Sequence, residues 1–137
     1  MGKSSPREFI GEFTRWASAR EDVSGVILVG SHARGEAAPD SDIDLVVLTS
    51  MPEFYLSCTS WTSIFGDIHS CSVEDWGEVQ SVRVFYRSGL EVEAGITLPS
   101  WLGPPIPATT LRVLQRGMQL LFHRKDDMLS LLEPFSR

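Results

Sequence analysis

At 137 residues the chain has material for one domain, 1–137, with a sizeable core and too little for two. Apolar residues at 42% and charged residues at 22% are ordinary globular values and exclude disorder as the default. A formal net charge of −6 argues against gripping a nucleic-acid backbone along its length, which needs clustered Lys and Arg, and points to a small-molecule or protein partner.

Cys58 and Cys71 sit in no Cys-x-x-Cys or Cys/His cluster, so both read as reduced thiols of a cytoplasmic protein, with a single disulfide as the alternative. The amino end lacks an apolar signal core, and no run approaches the eighteen apolar residues of a membrane span, so a soluble protein with no membrane association is expected.

Taken in order, Ser5-Pro6-Arg7-Glu8 is a capping box with proline at the first helical position. Phe9, Ile10, Phe13 and Trp16 follow at helical spacing and predict a helix over 6–20 that covers a sheet with one apolar stripe. Trp16 is expected in that core rather than as a base-stacking platform. The run 23–29 predicts a strand ending in Gly30-Ser31, where glycine allows close backbone approach and serine adds a hydroxyl donor: the parts of a phosphate cradle. Residues 33–37 predict a short helix, on which Arg34 either contacts a phosphate through its planar fork or is solvated surface.

The next apolar run opens with Asp42-Ile43-Asp44. On an extended chain alternate residues share a face, so Asp42 and Asp44 project together, about 7 Å apart, while Ile43, Leu45 and Val47 face a core. Two ionised carboxylates on one face repel unless a cation sits between them, and an all-oxygen pair suits Mg²⁺ rather than zinc. An EF-hand loop is excluded, because Leu45 stands where its glycine belongs and Met51 where its glutamate belongs. A P-loop is excluded as well, since G-x-x-x-x-G-K-[ST] is missing.

Residues 50–60 read either as a loop lining a pocket or as a poorly formed helix, and 60–69 has helical spacing up to Gly66. A hairpin follows: 79–87 alternates, Ser88-Gly89 turns, and 90–97 alternates again, with Leu90, Val92, Ala94 and Ile96 on one face and Glu91, Glu93, Gly95 and Thr97 on the other. Four prolines across 99–107 predict an irregular surface crossing. Thr109 or Thr110 then caps a short helix running to Arg116, before a last strand at 118–123 and a closing helix at 126–132.

Gly30-Ser31, ten intervening residues and Asp42-x-Asp44, flanked by Ala33-Arg34-Gly35 and Ser41, resemble the signature of the polymerase-beta-like nucleotidyltransferase superfamily, in particular its small minimal-nucleotidyltransferase members. The resemblance implies an α/β (α+β) fold, a mixed, mostly antiparallel sheet with helices packed on it. It implies two Mg²⁺ ions held by three carboxylates, and transfer of a nucleoside monophosphate from a nucleoside triphosphate to an acceptor hydroxyl with release of pyrophosphate. Carried onto this chain, Asp42 and Asp44 are metal ligands and catalytic, and Gly30, Ser31 and Arg34 bind the nucleotide. The third acid of the family comes from a neighbouring strand; Glu93, in Val-Glu-Ala-Gly-Ile, matches that place better than Glu91, although the family more often has aspartate there. His32 stays outside the catalytic set. The acceptor, a small molecule or a protein, is not specified; relatives that adenylylate antibiotics build its pocket with an extra helical domain, so either a homodimer or helical partner protein assembles the pocket here or the acceptor docks as a macromolecule. The competing expectation is a non-catalytic or partner-dependent nucleotide-binding, antitoxin-like module of the same fold.

Overall fold

A computed structural model describes residues 5–136. The first helix, α1 (Pro6–Ser18), begins as its capping box dictates: Ser5 accepts a hydrogen bond from the Glu8 amide at 3.1 Å. It ends two residues before Arg20, at Ser18, where Ala19 closes it. Phe9, Phe13 and Ala17 are its buried stripe.

The strands are β1 (Val23–Val29), β2 (Ile43–Thr49), β3 (Ile68–Asp75), β4 (Gln80–Tyr86), β5 (Glu91–Thr97) and β6 (Gln119–His123). They form one six-stranded sheet in the order β3-β4-β5-β2-β1-β6, antiparallel throughout except for the parallel pair β2 and β5. This is the mixed, mostly antiparallel sheet with helices packed on it.

Both faces of the central strands are covered. Ile43, Leu45 and Val47 of β2 face α1, as alternation requires, and join Val82, Val84, Val92 and Ala94 under the helix. An aromatic cluster seals this layer, with Trp16 stacked on Trp61 at 5.0 Å between centroids and Phe13 in contact with both. Val46 and Leu48 face the opposite way, onto Trp101, Leu102, Leu114 and Leu132.

One open reading is settled and several expectations are corrected. Residues 50–60 hold a helix, α3 (Pro52–Ser57), and it packs on the α1 side through buried Tyr55, away from the aspartate face. Tyr55 donates to Asp22 at 2.6 Å, alongside the Thr49 hydroxyl, so a buried polar anchor fixes a segment that apolar periodicity left open. The short helix α2 (Gly30–Arg34) starts at Gly30 rather than at 33, because Gly30 turns the chain straight out of β1 with φ 76°. Residues 60–65 form a 3₁₀ helix, and 68–75 is a strand that periodicity missed. Within the proline-rich crossing, Pro99–Leu102 is a 3₁₀ turn. The helix α4 (Ala108–Gln115) has Pro107 at its N-cap and not Thr109 or Thr110, since Thr110 is buried and donates to the Trp101 carbonyl at 2.7 Å. The last strand begins at Gln119, one residue later than expected, and α5 (Asp126–Leu132) closes the chain at the expected place. Cys58 and Cys71 are exposed and unpaired. Among the described residues no helix is long and apolar enough to cross a membrane.

Candidate metal and nucleotide site

Asp44 stands near the start of β2, and the parallel register sets it directly beside Glu93 of β5. Parallel neighbours in register point their side chains to the same face, so two acids forty-nine residues apart in sequence become adjacent. Asp42, just before β2, completes the group: Asp42, Asp44 and Glu93 each offer a carboxylate oxygen, all within 4.8 Å of one another. Glu91 stays out of this group.

Crowding three carboxylates has an electrostatic consequence. Burial, with the charges of Asp42 and Glu93 beside it, pushes the Asp44 carboxyl up to about 7. Asp44 Oδ1 is buried and has no hydrogen-bond partner. An all-oxygen donor set with one orphaned buried oxygen fits a hard divalent cation such as Mg²⁺.

Gly30 packs against this group. A Cβ placed there would collide with the Asp44 carboxylate, so the glycine serves both the left-handed turn and the close approach. Gly30 and Arg34 line a cavity of about 870 Å³ that also holds Asp44 and Glu93. Ser31, between them, is partly exposed and does not line the cavity. Arg34 pairs with Glu36 at 2.7 Å, and His32 contacts the Ser41 carbonyl at 3.2 Å.

Sequence reasoning missed four residues at this site. Arg83 of β4 stands opposite Glu93 in the antiparallel register. Its Nη2 lies 3.1 Å from Glu93 Oε2 and its Nη1 3.6 Å from Asp42 Oδ2. The same guanidinium pairs with Glu91 through Nη1 and with Glu74 through Nε at 3.1 Å. Partial burial opposes its charge, but Glu74, Glu93 and Glu91 together hold it protonated well above the ordinary range. Trp76, in the turn between β3 and β4, donates its indole N–H to Glu93 Oε2 at 2.9 Å while remaining 62% exposed. Arg112 of α4 and Arg116, the C-cap four residues on, also line the cavity. The alternation of β4 put Arg83 on the glutamate face; only the strand order showed which glutamates it meets.

A family model described as a nucleotidyltransferase domain matches residues 10–90, more than half of the chain. That span includes Gly30, Ser31, Arg34, Asp42 and Asp44 and stops short of Glu93. No curated protein matches the sequence. Among solved structures, an aminoglycoside 6-adenyltransferase from Bacillus subtilis is similar at TM-score 0.60 and 15% identity, over 74% of this chain and 38% of that one. Cid1, in a structure concerned with its RNA terminal uridylyl transferase activity, is similar at TM-score 0.51 and 14% identity, over 82% of this chain and 34% of Cid1. The chain thus spans little more than a third of the length of either structure, and likeness at these identities is likeness of fold.

Proposed function

Because the chain belongs to the family of nucleotidyltransferase domains, we propose that it is a Mg²⁺-dependent nucleotidyltransferase that moves a nucleoside monophosphate from a nucleoside triphosphate to an acceptor hydroxyl, releasing pyrophosphate. The observation that carries this reading is the convergence of Asp42, Asp44 and Glu93 beside the Gly30 turn. Bound there, divalent ions supply Lewis-acid neutralisation of phosphate charge and lower the pKa of an acceptor hydroxyl.

The chain's own residues supply position. Asp42 and Asp44 hold the cations, with Glu93 as the third ligand. The glycine turn lets the triphosphate approach the backbone at the first turn of α2, where the leading N–H groups have no intrahelical partner. Ser31 contributes its hydroxyl and Arg34 its guanidinium, exchanging Glu36 for phosphate oxygens. Holding the reactants in line contributes much of the rate in such reactions.

The acceptor is a small molecule or a protein rather than a nucleic acid, a reading supported by the net charge of −6 and by the carboxylates that crowd the site. The exposed, unpaired cysteines support a cytoplasmic location. A second copy or a helical partner protein completing the acceptor pocket fits the open cavity.

A pyrophosphate-release assay with ATP or GTP, Mg²⁺ and candidate acceptors tests the reading. Wild type releases pyrophosphate and Asp44→Asn, with its fold intact, does not. Triphosphate binding without release would identify a binding module instead, and activity retained by Asp44→Asn would remove Asp44 from the mechanism.

A further inference from the structure

Glutamate at the position of the third acid poses a physical problem. Its side chain has one more rotatable bond than aspartate, and a metal ligand that samples several rotamers loses affinity to the entropy of being fixed. Two donors on neighbouring elements address this problem.

Glu93 Oε2 accepts the Trp76 indole N–H at 2.9 Å and faces Arg83 Nη2 at 3.1 Å. An oxygen that accepts an indole N–H and pairs with a guanidinium is fixed from two sides, which holds the carboxylate in its place beside Asp42 and Asp44. Arg83 is itself held in place, because its Nε meets Glu74 on β3 and its Nη1 meets Glu91 on β5, with Asp42 Oδ2 3.6 Å from the same Nη1. Glu91 and Glu74 therefore fix the guanidinium, the guanidinium fixes Glu93, and Trp76 closes the arrangement from the β3–β4 turn. Asp44 Oδ1, by contrast, has no partner. The site combines one acid held by a hydrogen bond and an ion pair with one left open.

We propose that Arg83 and Trp76 are positioning residues that clamp Glu93 in its metal-binding conformation, so that this chain's affinity for divalent ions depends on them. The proposal rests on the metal-site reading above. Neither residue needs to touch substrate. Arg83 acts by its planar fork, not by charge alone, since a bare positive charge beside the acids would compete with the metal.

Mn²⁺ titration of the purified chain, followed by calorimetry and by the rise in Tm, tests the clamp for wild type, Trp76→Phe, Arg83→Gln and Arg83→Lys. Each is also melted without metal to read folding separately. Trp76→Phe keeps the ring and removes only the N–H donor; its metal-free Tm stays near wild type and its Mn²⁺ affinity falls several-fold. Arg83→Gln loses about tenfold or more, the scale on which outer partners of metal ligands act, and Arg83→Lys recovers only part of that loss. Wild-type Mn²⁺ affinity in Trp76→Phe and Arg83→Lys, or tighter binding in Arg83→Gln, overturns the clamp while leaving the triad in place. Failure of wild type itself to bind Mn²⁺ overturns the metal-site reading and the clamp with it.

Discussion

At the scale of single residues, Asp44 carries the clearest signature. Burial, with Asp42 and Glu93 beside it, pushes its carboxyl up from the ordinary 3.8 to about 7, so the folded state holds the proton more tightly than the unfolded state does. Stability from this group is therefore present below about pH 4, declines as pH rises toward 7, and is flat above that. Thermal melts of wild type and Asp44→Asn without metal should coincide near pH 4, diverge up to pH 7 with wild type the less stable, and keep a constant gap beyond. Mg²⁺ at pH 8 should raise the wild-type Tm and leave the variant unmoved; a gap independent of pH would contradict the crowding of the three acids. Gly30→Ala forces a side chain into the left-handed region and onto the Asp44 carboxylate, so it should cost about 1–2 kcal/mol of stability from the backbone and lose pyrophosphate release far beyond that cost. Measured by urea denaturation and the release assay, a variant with full activity would show that the close approach is unimportant.

At the scale of elements, local chemistry was readable wherever it was self-contained. The capping box set the start of α1, and Ser5→Ala should destabilise the chain by about 1 kcal/mol with activity unchanged, a difference that denaturant melts resolve. The hairpin of β4 and β5 declared itself through alternation and Ser88-Gly89. Where one element depends on another, the sequence was silent or misleading. β3 is an edge strand exposed over most of its length, so its residues show no apolar alternation to read. Tyr55 reaches its partner Asp22 from thirty-three residues away, and Thr110 bonds the Trp101 carbonyl instead of capping α4. Polar side chains satisfied by distant groups leave no periodic trace.

At the scale of the whole molecule, the sheet order makes the site. Asp42 and Asp44 were legible because alternate residues of an extended chain share a face; the adjacency of Glu93 depends on β5 lying parallel to β2 in the observed register. Resemblance supplied the expectation of a third acid, and topology supplied its neighbour. Arg83 and Trp76 became visible only once β4 was placed beside β5, with β3 at its outer edge. The layer that supports this register is aromatic: Phe13 is 1% exposed and packs among Phe9, Trp16, Trp61 and Phe65. Phe13→Ala should therefore cost about 3–5 kcal/mol by urea denaturation; a loss below about 1 kcal/mol, the scale of a surface change, would show that the cluster does not hold the sheet.

The central claim is that three carboxylates from β2, its approach and β5 form one divalent-cation site beside the Gly30 turn. Anomalous diffraction from crystals soaked with Mn²⁺ and a non-hydrolysable nucleoside triphosphate tests it most directly. The account predicts manganese within coordination distance of Asp42, Asp44 and Glu93, with the triphosphate against Gly30 and Ser31. Manganese bound elsewhere, or a triphosphate seated away from that turn with the three acids empty, would contradict it.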